Sequence, residues 1–292
     1  MKTRIILNPS AGAGRAGERL NRVRAVFENA WPGCEWVESN SAEHVTELAA
    51  EAARAGYARV IAVGGDGTAH FAANGLVGSR TAFGILPAGT GNDIAVAMGL
   101  PKDIEAAANL LVQEHIRPFD VIKAGDRYYY CVLGLGMDTL ALNYINSSRM
   151  RRGRWLYTQS ALRAMFRYRP QHISVNGEKI NYAGKVMLLA VTNTASYAGG
   201  FRLTPQARVD DGVMDYCIFP KMSVPKLLYT FSKVLSAGHE KMPAVIMGTA
   251  TKLRVESSEP MPLTLDGELT DMYTPVDISI MPGAIQAMGG VQ

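Results

Sequence analysis

The first half of the chain alternates short apolar runs with longer segments in which apolar residues recur every three or four positions. Such runs are typical of buried strands, and the longer period is typical of helices packed on one side. Strands and helices alternating over short connections predict a parallel sheet covered by helices. The predicted strands are 4–7, 36–37, 60–63, 83–86 and an extended segment at 118–122, and the predicted helices are 15–30, 43–55, 69–77, one starting at Asp93 or Ile94, and 104–114.

From about residue 123 the pattern changes to strands separated by turn-forming pairs of residues. Asn176-Gly177, Asp211-Gly212 and Asp266-Gly267 are dipeptides that favour tight turns between antiparallel strands. We therefore expect a second, mostly antiparallel domain of the β-sandwich or barrel type. Its predicted strands are 128–133, 173–175, 185–192, 214–219, 252–256, 263–265 and 276–281, and its helices are expected within 139–177 and at 224–236.

The two patterns divide the chain into an α/β domain, residues 1–122, and a β-rich domain, residues 123–292. A return of the C-terminal residues to the first domain is left open. The expected fold is a Rossmann-like parallel sheet with helices on both faces, plus an antiparallel β-sandwich or barrel. Since no flexible linker separates the halves, we expect the active site in the cleft between them.

Glycine-rich loops follow three predicted strands of the first domain. They are Asn8-Pro9 with the glycines after it, Gly64-Gly65-Asp66-Gly67-Thr68, and Gly89-Thr90-Gly91-Asn92-Asp93. Ligands of parallel sheets bind at the carboxyl ends of strands, where glycine lets backbone N–H groups approach a phosphate. Because the Asp66 carboxylate repels phosphate unless Mg²⁺ lies between them, the pattern favours a nucleotide–magnesium site. The alternative is an ordinary strand-to-helix turn with a surface aspartate.

Composition narrows the class of protein. Hydrophobic residues make up 48% and charged residues 19% of the 292 positions, as in a globular chain. No uncharged apolar run approaches the ~20 residues of a spanning helix, and the N-terminus lacks the features of a signal peptide. Cys34, Cys131, Cys217 and the five histidines have no metal-ligand spacing. We therefore expect a reducing, cytoplasmic location and no zinc site.

The net charge of +4 is unevenly distributed. The interval 139–177 contains no Asp, Glu or Lys, but it contains seven arginines interleaved with Trp155, Tyr157, Phe166 and Tyr168. Arginine with aromatic residues suits a surface that meets anionic lipid headgroups, so peripheral association with an anionic membrane is expected. A solvated basic helix face is the alternative. The arginines are Arg149, Arg151, Arg152, Arg154, Arg163, Arg167 and Arg169.

The three glycine-rich loops, in their order along the chain, resemble the signature motifs of the diacylglycerol kinase superfamily. This superfamily includes soluble bacterial lipid kinases and the sphingosine and ceramide kinases. Later segments are similar to further family motifs, so the resemblance covers essentially the whole chain. It implies ATP-dependent phosphorylation of a lipid hydroxyl, with diacylglycerol as the default acceptor. The later segments are Gly134-Leu135-Gly136-Met137-Asp138, Ala198-Gly199-Gly200 with Pro205 and Asp211-Gly212, and Asp266-Gly267-Glu268.

The resemblance also implies roles for individual residues. Asp266 is implied as the general base with Glu268 beside it, whereas its own sequence context favours a hairpin-turn residue. Asp66 is implied in the Mg²⁺–ATP network. The other implied ATP-binding residues are Asn8, Gly64, Gly65, Gly67, Thr68, Gly89, Thr90, Asn92, Asp93 and Asp120. A structural Mg²⁺ in the second domain is implied at the carbonyls of Arg208 and Val213 and the side chain of Asp211.

Several alternatives remain at the level of the sequence. Phe201 occupies a position where the family often has a third glycine, which leaves the acceptor open among diacylglycerol, a sphingoid base, ceramide, phosphatidylglycerol and a prenol. A kinase of a soluble acceptor such as NAD is a second hypothesis, and a catalytically inactive lipid- or nucleotide-binding regulator is a third. The expected partners are ATP, a lipid substrate and an anionic membrane surface, with no nucleic acid; a homodimer is left open.

Overall fold

The computed structural model describes residues 1–9, 17–148, 154–197, 200–234 and 236–290. Two compact units are formed, the first by Met1–Val121 with Pro282–Gln292 and the second by Ile122–Met281. The helices are α1 (Gly17–Ala30), α2 (Ala42–Arg54), α3 (Asp66–Asn74), α4 (Asp93–Ala97), α5 (Ile104–Leu111), α6 (Met137–Asn146), α7 (Arg154–Arg167) and α8 (Val224–Val234), with a 3₁₀ turn at Gly238–Lys241.

The strands follow the same chain order. They are β1 (Thr3–Leu7), β2 (Glu35–Glu38), β3 (Arg59–Gly64), β4 (Ala82–Pro87), β5 (Ile116–Ala124), β6 (Arg127–Tyr129), β7 (Val132–Gly136), β8 (Gln171–Gly177), β9 (Asn181–Thr192), β10 (Met214–Pro220), β11 (Ile246–Ala250), β12 (Lys252–Ser257), β13 (Pro262–Leu265), β14 (Glu268–Tyr273) and β15 (Val276–Met288).

The first unit has a parallel sheet in the order β2-β1-β3-β4, with the C-terminal end of β15 added beside β4 in parallel. Every residue of β3 and β4 is buried, as expected for strands that helices cover on both faces. Side chains start two of the helices: Ser41 Oγ accepts from the His44 N–H before α2, and Asp103 accepts from the Ala106 N–H before α5. The predicted Rossmann-like sheet is confirmed.

The second unit is built of antiparallel strands around the long strand β9. One end of β9 pairs with β8 and the other end pairs with β7, while β10 also pairs along it. Further pairs join β8 to β12, β12 to β15, β10 to β11, and β7 to the β13–β14 hairpin. The core contains Tyr129, Leu135, Leu189, Val191 and Ile218, all of them fully buried. The predicted antiparallel β-domain is confirmed.

The single strand predicted at 128–133 is wrong, since two strands, β6 and β7, are separated at Tyr130 and Cys131. The backbone N–H groups of Tyr130 and Cys131 donate to the Asp266 carboxylate, so they are not available to a strand partner. The turn predicted at Asn176-Gly177 is also displaced: both residues belong to β8, and the Gly177 N–H donates to the Ile180 carbonyl.

Two strands were not predicted. Strand β14 is polar and mostly solvent-facing, and β11 is short and contains Gly248, so neither has the apolar alternation that marks a strand. Helix α6 starts at Met137, two residues before the interval 139–177 in which helices were expected, and α7 follows within that interval. Strand β15 is longer than the predicted 276–281, because it continues through Pro282 and Gly283, residues that usually interrupt a strand pattern.

Candidate active site

In the first unit, β3 runs directly into α3 through Gly64 and Gly65. A Cβ at Gly64 would collide with the Thr68 side chain, so this helix can fold back onto the strand only because position 64 is glycine. Thr68 Oγ1 accepts a hydrogen bond of 2.9 Å from Asn8 Nδ2, and the Asn8 N–H donates to the Val63 carbonyl. The loops after β1 and β3 are thereby joined. Residues 10–16, which hold the glycines after Asn8-Pro9, lie outside the described residues.

The loops after β3 and β4 touch at two glycines. A Cβ added to Gly89 would lie 2.5 Å from the Gly65 Cα and 2.9 Å from Asn92 Oδ1. Asn92 holds the second loop in shape, since its Oδ1 accepts from the Gly89 N–H and its Nδ2 donates to the Gly89 carbonyl, both at 3.0 Å. Asn92 has a φ of 57°, a left-handed conformation that asparagine tolerates better than most residues. The contact brings together most of the predicted ATP-binding residues.

Gly67 and Thr90, like Gly89, are exposed residues of these loops. A Cβ at Gly67 would meet no described atom within 4 Å. An exposed glycine in the first turn of a helix leaves its backbone N–H accessible to an anion. The positions predicted to face phosphate are therefore on the open side of the loops.

Asp66 connects the same two loops, those after β3 and β4, through its carboxylate. Its Oδ2 accepts from the Asn92 N–H at 2.8 Å, and its Oδ1 accepts from the Ile94 N–H at 3.0 Å. The Asp66 carboxylate therefore also holds the start of α4. A Cβ at Gly91 would lie within 4 Å of Oδ2 of both Asp66 and Asp93. Two carboxylates beside one glycine form a donor set that Mg²⁺ accepts.

Asp120 has a different setting. It is buried in β5, and its Oδ1 accepts a hydrogen bond of 2.7 Å from the Gly283 N–H. Gly283 belongs to the part of β15 that returns to the first unit. Asp120 thus contacts the returning segment, and its predicted part in ATP binding stays a prediction.

In the second unit, Asp266 and Gly267 form the two-residue turn between β13 and β14. Both have positive φ, 49° and 81°, as the tight hairpin turn requires. The Asp266 carboxylate accepts from three consecutive backbone N–H groups: Oδ1 from Cys131 at 2.7 Å and Val132 at 3.1 Å, and Oδ2 from Tyr130 at 2.9 Å. Asp266 is half-buried, and the three donors fix the orientation of its carboxylate.

This carboxylate affects the groups around it. Burial, together with the Asp266 charge, raises the pKa of Tyr129 and Tyr130 well above the usual value, so both phenols stay neutral. Glu268, the first residue of β14, is exposed. The structure thus places Asp266 in a fixed position and Glu268 on the surface of the same hairpin.

A half-buried hydrogen-bond network close to this hairpin was not assigned from the sequence. Thr264 Oγ1, in β13, donates to Asp138 Oδ2 at 3.1 Å, and the Tyr197 hydroxyl donates to Asp138 Oδ1 at 3.4 Å. Burial raises the pKa of Asp138, while the two hydrogen bonds act in the opposite direction. Gly134 is required beneath it, since a Cβ there would collide with the carboxylate. The glycine-rich motif therefore makes room for Asp138.

The predicted metal ligands of the second unit lie in one surface loop. Val213 donates its N–H to Asp211 Oδ1 at 3.2 Å across Gly212, and the Arg208 side chain is exposed. Asp215, which the sequence analysis missed, has its pKa raised to about 6 by burial and then by the charge of Asp211. Two carboxyl groups that repel each other would accommodate a cation. No cluster of three metal-binding side chains occurs in the described part of the chain, so this site would depend on backbone carbonyls.

Two ranges of the chain match models of known protein families. Residues 2–124 match the model of the diacylglycerol kinase catalytic domain. Residues 131–289 match that of the YegS C-terminal NAD kinase beta sandwich-like domain, which spans more than half of the chain. The chain belongs to the diacylglycerol kinase family. Diacylglycerol kinase of Bacillus subtilis is 31% identical over 276 residues, covering 93% of this chain and 91% of its own.

A further relative is similar in sequence, and a solved structure is similar in fold. A YegS-like lipid kinase of Cronobacter sakazakii is 28% identical over 259 residues, covering 86% of this chain and 83% of its own. A crystal structure of a diacylglycerol kinase from Bacillus anthracis has the same fold, with a TM-score of 0.85 at 24% identity over 99% of this chain and 97% of that one. The chain is thus an ATP-dependent lipid kinase. Within the described residues, no helix is both long enough and apolar enough to cross a bilayer.

Proposed function

We propose that this kinase transfers the γ-phosphoryl group of ATP to the free hydroxyl of diacylglycerol, which yields phosphatidic acid and ADP. The observation that carries the nucleotide half is the contact between Gly65 and Gly89, which joins two strand-end loops with exposed backbone. The acceptor is inferred from the relatives named diacylglycerol kinase, including the 31% identical protein of Bacillus subtilis.

In this proposal the loops after β1, β3 and β4 bind the phosphates through backbone N–H groups and Thr90. Asp66 and Asp93, which lie against Gly91, would hold Mg²⁺. When bound, the ion neutralises charge on the phosphates. Asp66 also keeps α4 in place through the Asn92 and Ile94 N–H groups, so it contributes to the shape of the loop as well as to its charge.

Asp266 is the proposed general base. The acceptor oxygen forms a bond to the γ-phosphorus, the bond from that phosphorus to the bridging oxygen of ADP breaks, and the acceptor proton passes to the Asp266 carboxylate. Three backbone N–H groups hold the carboxylate oxygens, which fixes its orientation before the acceptor arrives. A positioned base typically contributes ~10²–10⁴-fold in rate.

A test of the acceptor uses purified protein, labelled ATP and Mg²⁺ with diacylglycerol, ceramide, a sphingoid base, phosphatidylglycerol and NAD in separate reactions. We expect labelled phosphatidic acid as the main product, and no product when the magnesium is chelated. A higher kcat/KM with another acceptor would overturn the diacylglycerol assignment.

We further propose that the enzyme works from the cytoplasm at the inner surface of the cell membrane, which would hold its lipid acceptor.

A further inference from the structure

Helix α7 exposes three large apolar side chains on one face. Trp155, Leu162 and Phe166 are 66%, 38% and 63% exposed. Their spacing of seven and four residues aligns them along a single side of a helix. Exposed apolar residues are ordinary when they occur singly, but a row of three on one helix indicates a binding surface.

The exposure is not caused by a helix that fails to pack. On the opposite side, Leu156, Ser160, Ala164 and Met165 are buried. Leu156 forms a cluster with Leu142 and Ile145 of α6, and Leu269 of β14 packs against the same cluster. The helix is therefore anchored on one face and, within the part of the chain that the structure describes, exposed on the other.

The interval 139–177, which contains the apolar row, carries only positive charge. Arg163, Arg167 and Arg169 are exposed, and no acidic residue occurs in 139–177. Arg163 lies 4.3 Å from the centre of the Tyr144 ring, which directs it along the surface of α6. Arg149, Arg151 and Arg152 of the same predicted stretch lie outside the described residues, as do the side chains of Arg154 and Tyr157. The surface next to Trp155, Leu162 and Phe166 thus complements anionic headgroups.

We propose that α7 is a membrane-docking helix that lies in the interface of an anionic bilayer, with Trp155, Leu162 and Phe166 inserted among the acyl chains. This inference rests on the proposed function in one respect, since a lipid kinase must reach an acceptor held in a membrane. Leu269, three residues after Asp266, packs against the cluster that anchors α7. Docking through α7 would therefore bring the hairpin that carries the proposed base towards the membrane surface.

The first test measures binding to vesicles without diacylglycerol or ATP, so its outcome does not depend on the acceptor. Vesicles of phosphatidylcholine alone are compared with vesicles of phosphatidylcholine mixed with phosphatidylglycerol. The apolar variant carries Trp155→Ala, Leu162→Ala and Phe166→Ala, and Ile116→Ala is its control, since Ile116 is half-exposed in the first unit. The charge variant carries Arg167→Gln and Arg169→Gln, matched by Arg80→Gln with Lys102→Gln in the first unit.

We expect the wild type and both controls to bind anionic vesicles alike. The apolar variant should lose at least about tenfold in affinity, because each inserted side chain adds transfer free energy. The charge variant should lose about fivefold for each arginine on anionic vesicles and nothing on neutral ones. Circular dichroism should show all variants folded. Anionic-vesicle binding that stays unchanged in the apolar variant would overturn the proposal.

Tryptophan fluorescence gives a second, local measurement. Trp31 is buried and Trp36 lies under the Arg24 guanidinium, so Trp155 is the tryptophan exposed on α7. Anionic vesicles should shift the wild-type emission to shorter wavelength, and Trp155→Phe should abolish the shift while retaining binding. A shift that persists in Trp155→Phe contradicts insertion of this residue.

One outcome identifies a different occupant of this helix face. If the wild type sediments as a dimer, the apolar variant as a monomer, and vesicle binding does not change, a second copy of the chain covers α7 and the proposal is wrong.

Turnover of a short-chain diacylglycerol dissolved as monomers separates this inference from the proposed function. The apolar variant should match wild type on that substrate and lose activity only on vesicles, whereas a wild type inactive on both would contradict the acceptor and leave the binding result standing.

Discussion

At the scale of single residues, the two hypotheses for Asp266 are not exclusive. Its backbone adopts the left-handed conformation of a hairpin turn, and its carboxylate is held by the backbone of Tyr130, Cys131 and Val132. The donors lie more than 130 residues away in sequence, so no local pattern could predict them. The turn supplies the position of the carboxylate, and the backbone donors supply its orientation.

Replacing Asp266 removes the proposed base and also disturbs the hairpin turn, so a control variant is needed to tell the two effects apart. Asp266→Asn tolerates the same turn, but its amide group must face the Tyr130 N–H, which now donates to Oδ2 at 2.9 Å. We expect a loss of about 1–3 kcal/mol in the free energy of unfolding from the mismatched donor. We also expect kcat to fall by ~10² or more from the missing base. The measurements are chemical denaturation and turnover at saturating lipid.

Gly267→Ala is the matched control, because it strains the same turn without changing the carboxylate. The glycine has a φ of 81° and space for a Cβ, so the expected cost is about 1 kcal/mol of backbone strain. Its kcat should stay within a few-fold of wild type. If both variants lose turnover in proportion to stability, Asp266 acts only in the turn.

At the scale of elements, β1, β3 and β4 of the parallel sheet were predicted from the sequence because each is a short apolar run followed or ended by asparagine, glycine or proline. It failed where tertiary contacts override the local pattern. The break between β6 and β7 depends on Asp266, and the polar strand β14 is an edge strand held by the hairpin. The joint between the glycine loops depends on Asp66 and on residues 26 and 28 positions further along the chain.

Gly89 has no space for a Cβ, whereas Gly67 has, so alanine at these two positions should affect stability differently. Gly89→Ala places a methyl group 2.5 Å from the Gly65 Cα, so the loops must separate. We expect a lower unfolding temperature and at least about tenfold weaker ATP binding, since the loops would no longer present their backbone donors together. Differential scanning fluorimetry and isothermal titration with ATP would measure the two effects.

Gly67→Ala is the counterpart in the same region. The added methyl group meets no protein atom, and alanine favours a helix over glycine by about 1 kcal/mol. The unfolding temperature should therefore stay equal or rise, while ATP binding should weaken if phosphate approaches this backbone closely. Unchanged ATP affinity in Gly67→Ala would remove Gly67 from the proposed phosphate site.

At the scale of the whole molecule, the chain leaves the first unit at Val121 and returns to it at Pro282. The returning segment adds to the parallel sheet beside β4, and Ile285, Ala287 and Met288 are buried there. Asp120 receives the Gly283 N–H across 163 residues of sequence. The first unit is therefore completed only after the second has been synthesised, and Asp120 is one of the contacts that complete it.

Asp120 has both a structural contact and a predicted part in the Mg²⁺–ATP network, and two substitutions distinguish them. Asp120→Asn keeps a carbonyl oxygen that can accept from Gly283, so we expect its unfolding free energy to stay close to wild type. Asp120→Ala leaves the N–H of the half-buried Gly283 without that acceptor and should cost about 1–3 kcal/mol. Hydrogen exchange at the Gly283 amide reports this bond directly: it should stay protected in Asp120→Asn and exchange faster in Asp120→Ala.

Turnover then decides the second role. A carboxylate that serves the magnesium network cannot be replaced by an amide without loss of charge, so we expect Asp120→Asn to lose ~10-fold or more in kcat/KM for ATP despite its native stability. The contrary result is a fully active Asp120→Asn together with an Asp120→Ala that loses activity only in proportion to its loss of folded protein. In that case Asp120 serves only to hold the returning segment, and the metal network must be assigned to Asp66 and Asp93 alone.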